Sequence, residues 1–581
     1  MNGVVNTIQS TTMSIIWVTH RTSTHSIHLN SPFPPLPNTT HPPLAEFVRE
    51  KWIQLDQKVA ILDGSTGLQR TFADYHDTTG RVGAALQELG VGENSTVALF
   101  SPNHVDYLPI SLGVSLCGAK LTPINPLFTT QELTTILDRS RSSVLIVHQS
   151  QLEVGLEAAR LCPTVKHVIV LSNEDDNHSN QTAGPEGTIR FASIKNYSGF
   201  LHDTLESVHS NIDTNSFLLP YSSGTTGLPK GVCLTHQNII TNLLQCNIVE
   251  GPNLMEHHKL ISPLPFFHIY ASVVSLLYSG WQGQQLITMS GRFDLELFCQ
   301  LLEQHQPERA HLVPPIILGM AKSPVVDKYD VSSLRQIVSA AAPLSSDIET
   351  AIHDRLGVSV KQAWGMSELS PIGTFNTDAG AKSGSVGPLV SSTQAKVLDK
   401  DGNSLPPNQP GELVIRGPQV MLGYLDDPDK TAECLSPDSG WLRTGDVAMY
   451  DEDGHVYVTD RLKELIKVRG YAVAPAELEA LLLTNDSVQD VAVIQIPDEQ
   501  SGELPRAYVV LKENEDGSTS PDDIAAWVKE RVAPYKRLDG GVVFTDAIPK
   551  SPSGKILRRL LRDALAEELE VEQEERATME A

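Results

Sequence analysis

The sequence predicts an α/β protein built from more than one domain, and two features carry that prediction. The chain has 581 residues, whereas a single hydrophobic core seldom grows beyond about 250–300 residues. Short β-rich runs also alternate with stretches that carry apolar residues at helical spacing, such as the runs at 97–103, 144–150 and 167–173 and the helical stretch 74–89. This alternation is typical of buried sheets covered by helices.

Two later segments predict units of a different kind. Around 395–417 the pattern changes to two β-rich runs with a Gly-Asn turn, which indicates a more barrel-like β unit. From about residue 460 a smaller α/β unit begins, and its first helix has a proline near the start and acidic residues in the first turn. The elements predicted for this unit are a helix at 475–483, strands at 490–496, 507–512 and 541–546, and a helix that begins at Pro521.

Charge and composition exclude several classes of protein. The formal net charge of -26 opposes a nucleic-acid partner, which would favour a basic surface. The six cysteines form no CxxC pair and suit neither a zinc site nor a disulfide framework, so a reducing compartment fits. No apolar run approaches the roughly 18 residues that a membrane-spanning helix needs. A peroxisomal Ser-Lys-Leu ending is absent, and we expect a cytoplasmic protein.

The strongest functional pattern is YSSGTTGLPKGV at 221–232, which follows an apolar run. Its glycines let the backbone approach a ligand closely, its hydroxyls and amides can bind phosphate oxygens, and its lysine adds a positive charge. The spacing differs from the GxxxxGK[ST] pattern of a Walker A loop. The alternative is a Gly- and Ser-rich surface turn. The candidate polyphosphate-binding residues are Ser222, Ser223, Gly224, Thr225, Thr226, Gly227 and Lys230.

Seven further motifs follow this turn, and together they carry a family resemblance. They are PLPFFHIY (263–270), SAAAPL (339–344), QAWGMSE (362–368), GELVIRGPQVMLGY (411–424), WLRTGD (441–446), DRLKELIKVRGY (460–471) and PKSPSGKILRR (549–559). The set is similar, in the same order, to the motifs of the adenylate-forming (AMP-binding) superfamily, which includes acyl-CoA synthetases, beetle luciferases and peptide-synthetase adenylation domains. The resemblance spans roughly residues 31–565 and is strongest to coumarate–CoA ligase-like enzymes.

The resemblance implies both a domain organisation and a reaction. A large N-terminal AMP-binding domain (31–460) would contain two α/β sheet subdomains and a β-barrel-like subdomain, and a small mobile C-terminal α/β domain (461–565) would follow. A disordered extension (1–30) and an acidic tail (566–581) would flank them. The implied enzyme uses ATP and Mg²⁺ to activate a carboxylic acid as its acyl-adenylate, and then transfers the acyl group to coenzyme A. Bringing a carboxylate to the α-phosphate joins two anions, which demands cations and oriented dipoles.

At the phosphates, the resemblance implies that Ser222, Thr225 and Thr226 hold the β- and γ-phosphates. Thr226 and Glu368 would engage magnesium, a hard cation that prefers oxygen ligands. Lys555 would be the catalytic cation, because small residues around it permit a mobile loop whose long arm reaches the carboxylate and the α-phosphate. Loss of one such contact typically costs about 3–4 kcal/mol. A helix-start carboxylate and a surface lysine are the structural alternatives for Glu368 and Lys555.

At the nucleoside, the resemblance implies that Trp364 stacks on adenine, in a position where the family usually has tyrosine. Asp446 would accept both ribose hydroxyls, a task that suits a carboxylate. Arg461 would assist at the ribose or a phosphate, with a structural salt bridge as the alternative. The remaining residues implied at the nucleotide are Ala341, Ala342, Pro343, Gly365, Met366 and Ser367.

The second half-reaction needs different groups in place, so the resemblance implies a swing of the small domain about Lys463. Gly470 and the chain around Lys467 would then line the path of the pantetheine arm. His268 occupies a position that family members use near the acyl-transfer path, although a lone buried histidine is more often structural. Ala472 stands where many relatives have glutamine, a departure that bears on one of the two half-reactions.

The implied acyl pocket departs from coumarate–CoA ligases at four positions. Ala340 and Ala363 replace glycines, and each adds a methyl group. Val338 replaces the usual lysine and Val273 a common polar residue, which removes hydrogen-bond partners for a ring hydroxyl. We therefore expect an apolar acid without a hydroxyl, either aliphatic or plain aromatic, although apolar pockets select poorly by size. The candidate pocket residues are Ile269, Tyr270, Val273, Val338, Ala340, Ala363, Pro371 and Ile372.

Three other functions remain open at this point. The enzyme could load the acyl group onto a carrier protein supplied in trans, since only about two dozen residues follow Lys555. A luciferase-like oxygenase is a second alternative. The third is a nucleotide-binding regulator without catalysis, which the joint presence of Lys555, Glu368, Asp446, Arg461 and Lys463 opposes.

Overall fold

The computed structural model describes residues 28–173, 184, 187–222, 229–251, 258–469, 471–498, 500–512, 519–552 and 554–568. Within these ranges the chain forms two large sheets with flanking helices, a five-stranded antiparallel sheet and a small C-terminal α/β unit. This architecture confirms the predicted fold class, including two α/β subdomains and a barrel-like β unit. Of the helices in the described ranges, none has both the length and the apolar character that crossing a bilayer requires.

The first large sheet has parallel strands at its centre. Strands Thr96–Phe100 and Val144–His148 are buried along their whole length, as expected of parallel strands covered on both faces. These are the β-rich runs that the sequence predicts at 97–103 and 144–150. The sheet order is Tyr221–Ser222, Lys230–Thr235, Ser216–Leu218, Lys120–Ile124, Thr96–Phe100, Val144–His148, His167–Leu171 and Ile189–Arg190, with Gly423–Tyr424 also paired to Lys230–Thr235.

The second large sheet positions the candidate site. Its strands from Val59–Asp63 to Ser359–Gly365 run parallel, so their carboxyl ends meet at one edge. Ligands of α/β sheets commonly bind at that edge. The sheet order is Ile372–Phe375, Ser359–Gly365, Gln336–Ser339, Arg309–Leu312, Lys259–Ile261, Gln285–Thr288, Val59–Asp63 and Gln69–Thr71.

The barrel-like sheet is antiparallel and includes the start of the described chain. Leu29–Asn30 pairs with Gln394–Leu398, so the predicted disordered extension (1–30) is wrong for these two residues. They pair because Leu29 is buried in the main hydrophobic core. The sheet order is Leu29–Asn30, Gln394–Leu398, Gly411–Arg416, Leu442–Tyr450 and Val456–Arg461.

The C-terminal unit has its own core and lies beyond strand Val456–Arg461. Its sheet contains Tyr471–Val473, Ile466–Val468, Gly502–Leu511 and Val488–Asp498, with Val542–Phe544 added in parallel to Gly502–Leu511. Helices Pro475–Leu482 and Pro521–Lys529 begin at proline, as predicted. A buried ion pair between Arg558 and Glu479 (2.7 Å) ties the helical residues 558–568 to this unit.

Helices cover both large sheets and often begin with side-chain caps. Thr71, Thr129 and Thr235 each form a capping box with the residue three positions later, which satisfies two orphan N–H groups at the helix start. Residues Tyr270–Leu277 form a π-helical stretch. The α-helices outside the C-terminal unit are Leu44–Arg49, Trp52–Leu55, Phe72–Glu88, Tyr107–Leu116, Thr130–Ser140, Leu152–Leu161, Phe191–Lys195, Glu206–His209, His236–Glu250, Tyr278–Gln282, Leu295–His305, Pro314–Lys322, Ser346–Leu356 and Pro428–Cys434.

Candidate active site

A buried hydrogen bond joins two of the predicted nucleotide-binding residues. The indole Nε1 of Trp364 donates to Oδ2 of Asp446 at 2.9 Å. Trp364 lies in strand Ser359–Gly365 of the second sheet, one residue before its end, whereas Asp446 lies in the barrel-like sheet. Gly373 makes room for the indole, because a Cβ at that position would lie 2.7 Å from the ring. One oxygen of the carboxylate therefore already accepts a hydrogen bond, which limits the two-oxygen grip on ribose that the resemblance implies.

Arg461 contacts the other oxygen of the same carboxylate. Its Nε lies 3.2 Å from Oδ1 of Asp446, and the two residues are directly paired between neighbouring strands. The Asp446 carboxylate is nearly buried while the arginine is partly exposed. Arg461 is also the last residue of strand Val456–Arg461, after which the chain enters the C-terminal unit.

Glu368 is a buried carboxylate, a type of group that can bind a cation. It is 6% exposed, and its Oε1 accepts a hydrogen bond of 2.8 Å from the hydroxyl of Tyr424. No cluster of three or more His, Cys, Asp or Glu side chains occurs among the described residues. Mg²⁺ is commonly held by one or two carboxylates together with substrate phosphates and water, and Glu368 fits that role.

Residues 341–343, which the resemblance implies at the nucleotide, contain a strained turn. Ala341 adopts a φ of 74°, a left-handed conformation that is costly for a residue with a Cβ. Ala341 and Ala342 are half-buried and Pro343 is exposed. Close packing also fixes Gly365, where a Cβ would lie 2.1 Å from the carbonyl oxygen of Pro371. The neighbouring Met366 donates its N–H to that same oxygen at 3.0 Å.

The C-terminal unit places Lys555 near Glu368, Asp446 and Arg461. We call the space that these four residues border the cleft. The loop packs on the start of helix Pro314–Lys322, since a Cβ on Gly554 would meet Pro315 at 3.2 Å. Burial, followed by the charge of Arg461, lowers the pKa of Lys555 to about 8, while Asp446 and Glu368 act in the opposite direction. Because the residue still exposes surface to the cleft, water there screens part of this effect. The predicted catalytic lysine and the predicted metal and ribose carboxylates therefore share one cleft.

His268 lies close to the same lysine. Burial, together with the charge of Lys555, lowers the pKa of His268 to about 3. Its Nδ1 accepts a hydrogen bond from the N–H of Tyr270 at 3.4 Å. The imidazole is consequently neutral near pH 7 in this arrangement, with its proton on the other nitrogen.

Five of the predicted acyl-pocket residues lie on or next to strands of the second sheet, and Ile269, Tyr270 and Val273 lie in or next to the π-helical stretch. Tyr270 crosses from the π-helical stretch to the sheet, where its hydroxyl donates to the carbonyl oxygen of Val338 at 3.1 Å. The members of the predicted pocket are all buried: Ile269, Tyr270, Val273, Val338, Ala340, Ala363, Pro371 and Ile372. The structure thus brings together the residues that the sequence analysis places in the pocket.

Two polar residues beside Val338 were missed from the sequence. His311 and Lys361 are its direct partners on the neighbouring parallel strands, and side chains in register point to the same face. The ring of His311 stacks at 6.0 Å on Tyr270, and its Nδ1 lies 3.0 Å from Oγ of Ser275. The wall around Val338 is therefore less apolar than predicted. The sequence carries no signal for this, because strand register is a tertiary property.

Lys361 belongs to a buried ion cluster. It pairs with Glu250 and, at 2.6 Å, with Asp378, and Arg309 pairs with the same two carboxylates. Lys361 is 1% exposed, whereas Asp378 is 22% exposed, so the cluster is buried on the lysine side and reaches solvent at Asp378. Two positive and two negative charges compensate one another there.

Several predicted site residues cannot be placed. Ser223, Gly224, Thr225, Thr226, Gly227 and Gly470 lie outside the described residues. The backbone of Ser222 pairs with Lys230, whose ammonium lies 4.7 Å from the ring centroid of Tyr424. Ser367 is half-buried beside Glu368, while Lys463 and Lys467 are exposed on the C-terminal side of Arg461.

Comparison with known proteins identifies the family. The model of the AMP-binding enzyme family matches residues 49–425, and the model of the AMP-binding enzyme C-terminal domain matches residues 477–555. 4-Coumarate–CoA ligase 1 of Arabidopsis thaliana is 38% identical over 545 residues, which cover 91% of this chain and 94% of the relative. 4-Coumarate–CoA ligase 5 of Oryza sativa subsp. japonica is 38% identical over 536 residues, 90% of this chain and 95% of the relative.

Solved structures agree with this assignment. An anthranilate CoA ligase, AuaEII, in complex with anthranoyl-AMP matches with a TM-score of 0.81 and 25% identity, covering 91% of this chain and 98% of that one. ATP-bound MatB from Rhodopseudomonas palustris matches with a TM-score of 0.78 and 25% identity, covering 90% and 98%. The predicted adenylate-forming resemblance, the AMP-forming acid–CoA ligase activity and the use of ATP, Mg²⁺ and coenzyme A are confirmed. The chain belongs to the AMP-binding enzyme family.

Proposed function

We propose that this one cleft carries out both halves of the acid–CoA ligase reaction, with Lys555 serving only the first half. The observation that carries the proposal is the position of Lys555, which reaches from the C-terminal unit into a cleft that contains Glu368, Asp446 and His268 of the large domain. These groups come from distant parts of the sequence, and Lys555 meets the other three only through the docking of the C-terminal unit.

In the first half, a carboxylate oxygen of the acid attacks the α-phosphorus of ATP, and the bond to the bridging oxygen of pyrophosphate breaks. Lys555 stabilises the negative charge that two approaching anions concentrate between them. Asp446, steadied by Trp364, orients the ribose and so fixes the α-phosphate in the line of attack. Glu368 would hold Mg²⁺, which supplies charge neutralisation at the phosphates when it is bound.

In the second half, the sulfur of coenzyme A attacks the acyl carbon, the bond to the AMP oxygen breaks, and the thiol proton leaves for solvent or a base. Lys555 is not needed for this step, so the C-terminal unit can rotate it away. We place the pivot at Lys463, an exposed residue just beyond the last strand of the barrel-like sheet. Lys467 and Gly470 would then face the thiol path.

The acid that fits the pocket best is an apolar aromatic acid. The relatives named above are ligases of 4-coumarate and anthranilate, both aromatic. The pocket wall is apolar at Val273, Val338 and Ala363. The only polar groups that we find beside Val338 in the described sheet are His311 and Lys361, and Lys361 is already neutralised by its carboxylates. A ring hydroxyl is therefore tolerated at most through His311. We also propose a cytoplasmic location.

Loading of a carrier protein in trans is the remaining alternative. It uses the same first half-reaction and differs only in the acceptor thiol. Exchange of labelled pyrophosphate into ATP, measured with a panel of acids, tests the first half, and thioester formation with coenzyme A tests the second. Acid-dependent exchange together with coenzyme A thioester supports the proposal, whereas exchange without thioester favours the carrier.

A variant of Lys555 tests whether this lysine serves only the first half-reaction. Lys555→Ala should abolish exchange, with a loss of at least about 100-fold, yet leave thioester formation from supplied acyl-adenylate largely intact. Equal loss of both half-reactions in Lys555→Ala would contradict the assignment of this lysine.

Cinnamic acid and 4-hydroxycinnamic acid form a matched pair for the pocket, and the acid without the hydroxyl should give the higher kcat/KM.

A further inference from the structure

Tyr424 stands between two groups that act on the phosphates. Its hydroxyl donates to Oε1 of Glu368 at 2.8 Å, and the ammonium of Lys230 lies 4.7 Å above its ring. Neither contact follows from local sequence, since the three residues are separated by more than fifty positions. Of the two oxygens of Glu368, the hydroxyl occupies one and leaves Oε2 for a cation.

The backbone around Tyr424 reinforces this link. Strand Gly423–Tyr424 pairs with strand Lys230–Thr235, which directly follows the phosphate-binding turn in the sequence. The N–H of Met421 also donates to the carbonyl oxygen of Glu368 at 2.9 Å. Residues 421–424 thus hold Glu368 by both backbone and side chain, on a strand that is fixed to the end of the turn.

Tyr424 is itself held in place. Its N–H donates to Oγ1 of Thr431 at 2.9 Å, and its ring is half-buried. A side chain whose own conformation is fixed by packing can orient a carboxylate, and such supporting groups typically change metal affinity 10- to 100-fold when they are lost.

We propose that Tyr424 is a positioning residue that orients the Glu368 carboxylate for the metal and couples it to Lys230 at the end of the phosphate-binding turn. The inference rests on the proposed function, which assigns the metal to Glu368. It predicts that metal affinity, rather than the maximal rate, depends on the Tyr424 hydroxyl. The ring should matter separately, because Lys230 contacts the ring and not the hydroxyl.

The test compares Tyr424→Phe, which removes only the hydroxyl, with Tyr457→Phe as a matched control. Tyr457 donates to Asp451 at 3.2 Å in the barrel-like sheet, so this variant loses a tyrosine–carboxylate hydrogen bond outside the candidate site. Binding of Mn²⁺ to each protein in the presence of ATP, without acid, is measured from the free Mn²⁺ signal by electron paramagnetic resonance. The Mg²⁺ dependence of pyrophosphate exchange is measured in parallel.

We expect Tyr424→Phe to weaken Mn²⁺ binding about tenfold and to raise the Mg²⁺ concentration for half-maximal exchange by a similar factor. Saturating Mg²⁺ should restore the rate to within about threefold of the wild type, because the carboxylate itself remains. If Tyr424→Phe folds poorly, Tyr424→Leu, which also lacks the hydroxyl, should show the same loss of Mn²⁺ affinity. Tyr424→Leu should additionally raise the KM for ATP, since it removes the ring beside Lys230.

Three results would overturn the inference, and they differ in what else they affect. If Tyr424→Phe binds Mn²⁺ as tightly as Tyr457→Phe while Glu368→Gln binds it weakly, Tyr424 has no positioning role and the proposed function stands. If Glu368→Gln also binds Mn²⁺ like the wild type, the assignment of the metal to Glu368 fails as well. A loss of rate in Tyr424→Phe that saturating Mg²⁺ does not restore would indicate a structural role only.

Discussion

Raising the pH should slow adenylation because it removes the positive charge of Lys555. Burial and the nearby Arg461 lower the pKa of this lysine to about 8. A lowered lysine pKa means that the charged form is present below that pH and is lost as the pH rises through it. One unit above its pKa, a group retains about one tenth of its charged form. The charged fraction is about one half at the pKa itself, so the second-order rate constant for ATP in pyrophosphate exchange should fall about fivefold between pH 8 and pH 9.

Two features of the cleft modify this profile. Water in the cleft screens part of the effect, so the descending limb lies between pH 8 and the ordinary lysine pKa. Bound ATP adds negative charge beside the ammonium and favours its protonated form. The limb should therefore appear at lower pH in kcat/KM, which reports the free enzyme, than in kcat, which reports the nucleotide complex. His268 is neutral throughout this range.

The assay is the initial rate of labelled pyrophosphate exchange from pH 6.5 to pH 10, with thioester formation from supplied acyl-adenylate as the internal comparison. Lys555→Arg should move the limb above the measured range, because arginine stays protonated. Thioester formation should lack the limb, since Lys555 takes no part in it. An unchanged limb in Lys555→Arg, or the same limb in both half-reactions, would refute the reasoning.

Two further predictions concern the buried contacts around the cleft. Trp364→Phe removes the hydrogen bond that steadies Asp446 and should raise the KM for ATP about tenfold, with little change in the KM for the acid. Steady-state exchange kinetics measure both constants, and equal changes in the two would contradict the prediction. Lys361→Met leaves Glu250 and Asp378 with one cation instead of two and should lower the free energy of unfolding by about 3–5 kcal/mol, measured by urea denaturation. Met at Lys361 combined with Glu250→Gln should recover part of that loss, and no recovery would show that charge is not the cause.

The sequence predicts the composition of the site better than its geometry. The family resemblance of the motifs singles out Lys555, Glu368 and Asp446, and the structure places these three charged groups near one another. The helix starts at Pro475 and Pro521 are also predictable, since proline and acidic residues mark them locally. These features depend on neighbouring residues in the chain.

What the sequence does not reveal depends on strand register and on packing between sheets. His311 and Lys361 flank Val338 only because three parallel strands pair in one particular register. The hydrogen bond from Trp364 to Asp446 crosses from one sheet to another. Both are tertiary relations, and a shift of one residue in register would send the same side chains to the opposite face. For this reason the sequence analysis missed the two polar residues beside Val338.

The charges in the cleft also explain how one site can serve two steps in order. In the docked arrangement Lys555 lies near another cation, Arg461, whose charge disfavours the protonated lysine, and Asp446 and Glu368 offset this repulsion. ATP brings several negative charges to the same place and so favours docking. Once pyrophosphate leaves, the acyl-adenylate retains a single negative charge, and the attraction that held the ammonium falls with it. We infer that product departure itself weakens the docking of the C-terminal unit, so that Lys555 withdraws at the moment when the thiol needs access to the acyl carbon.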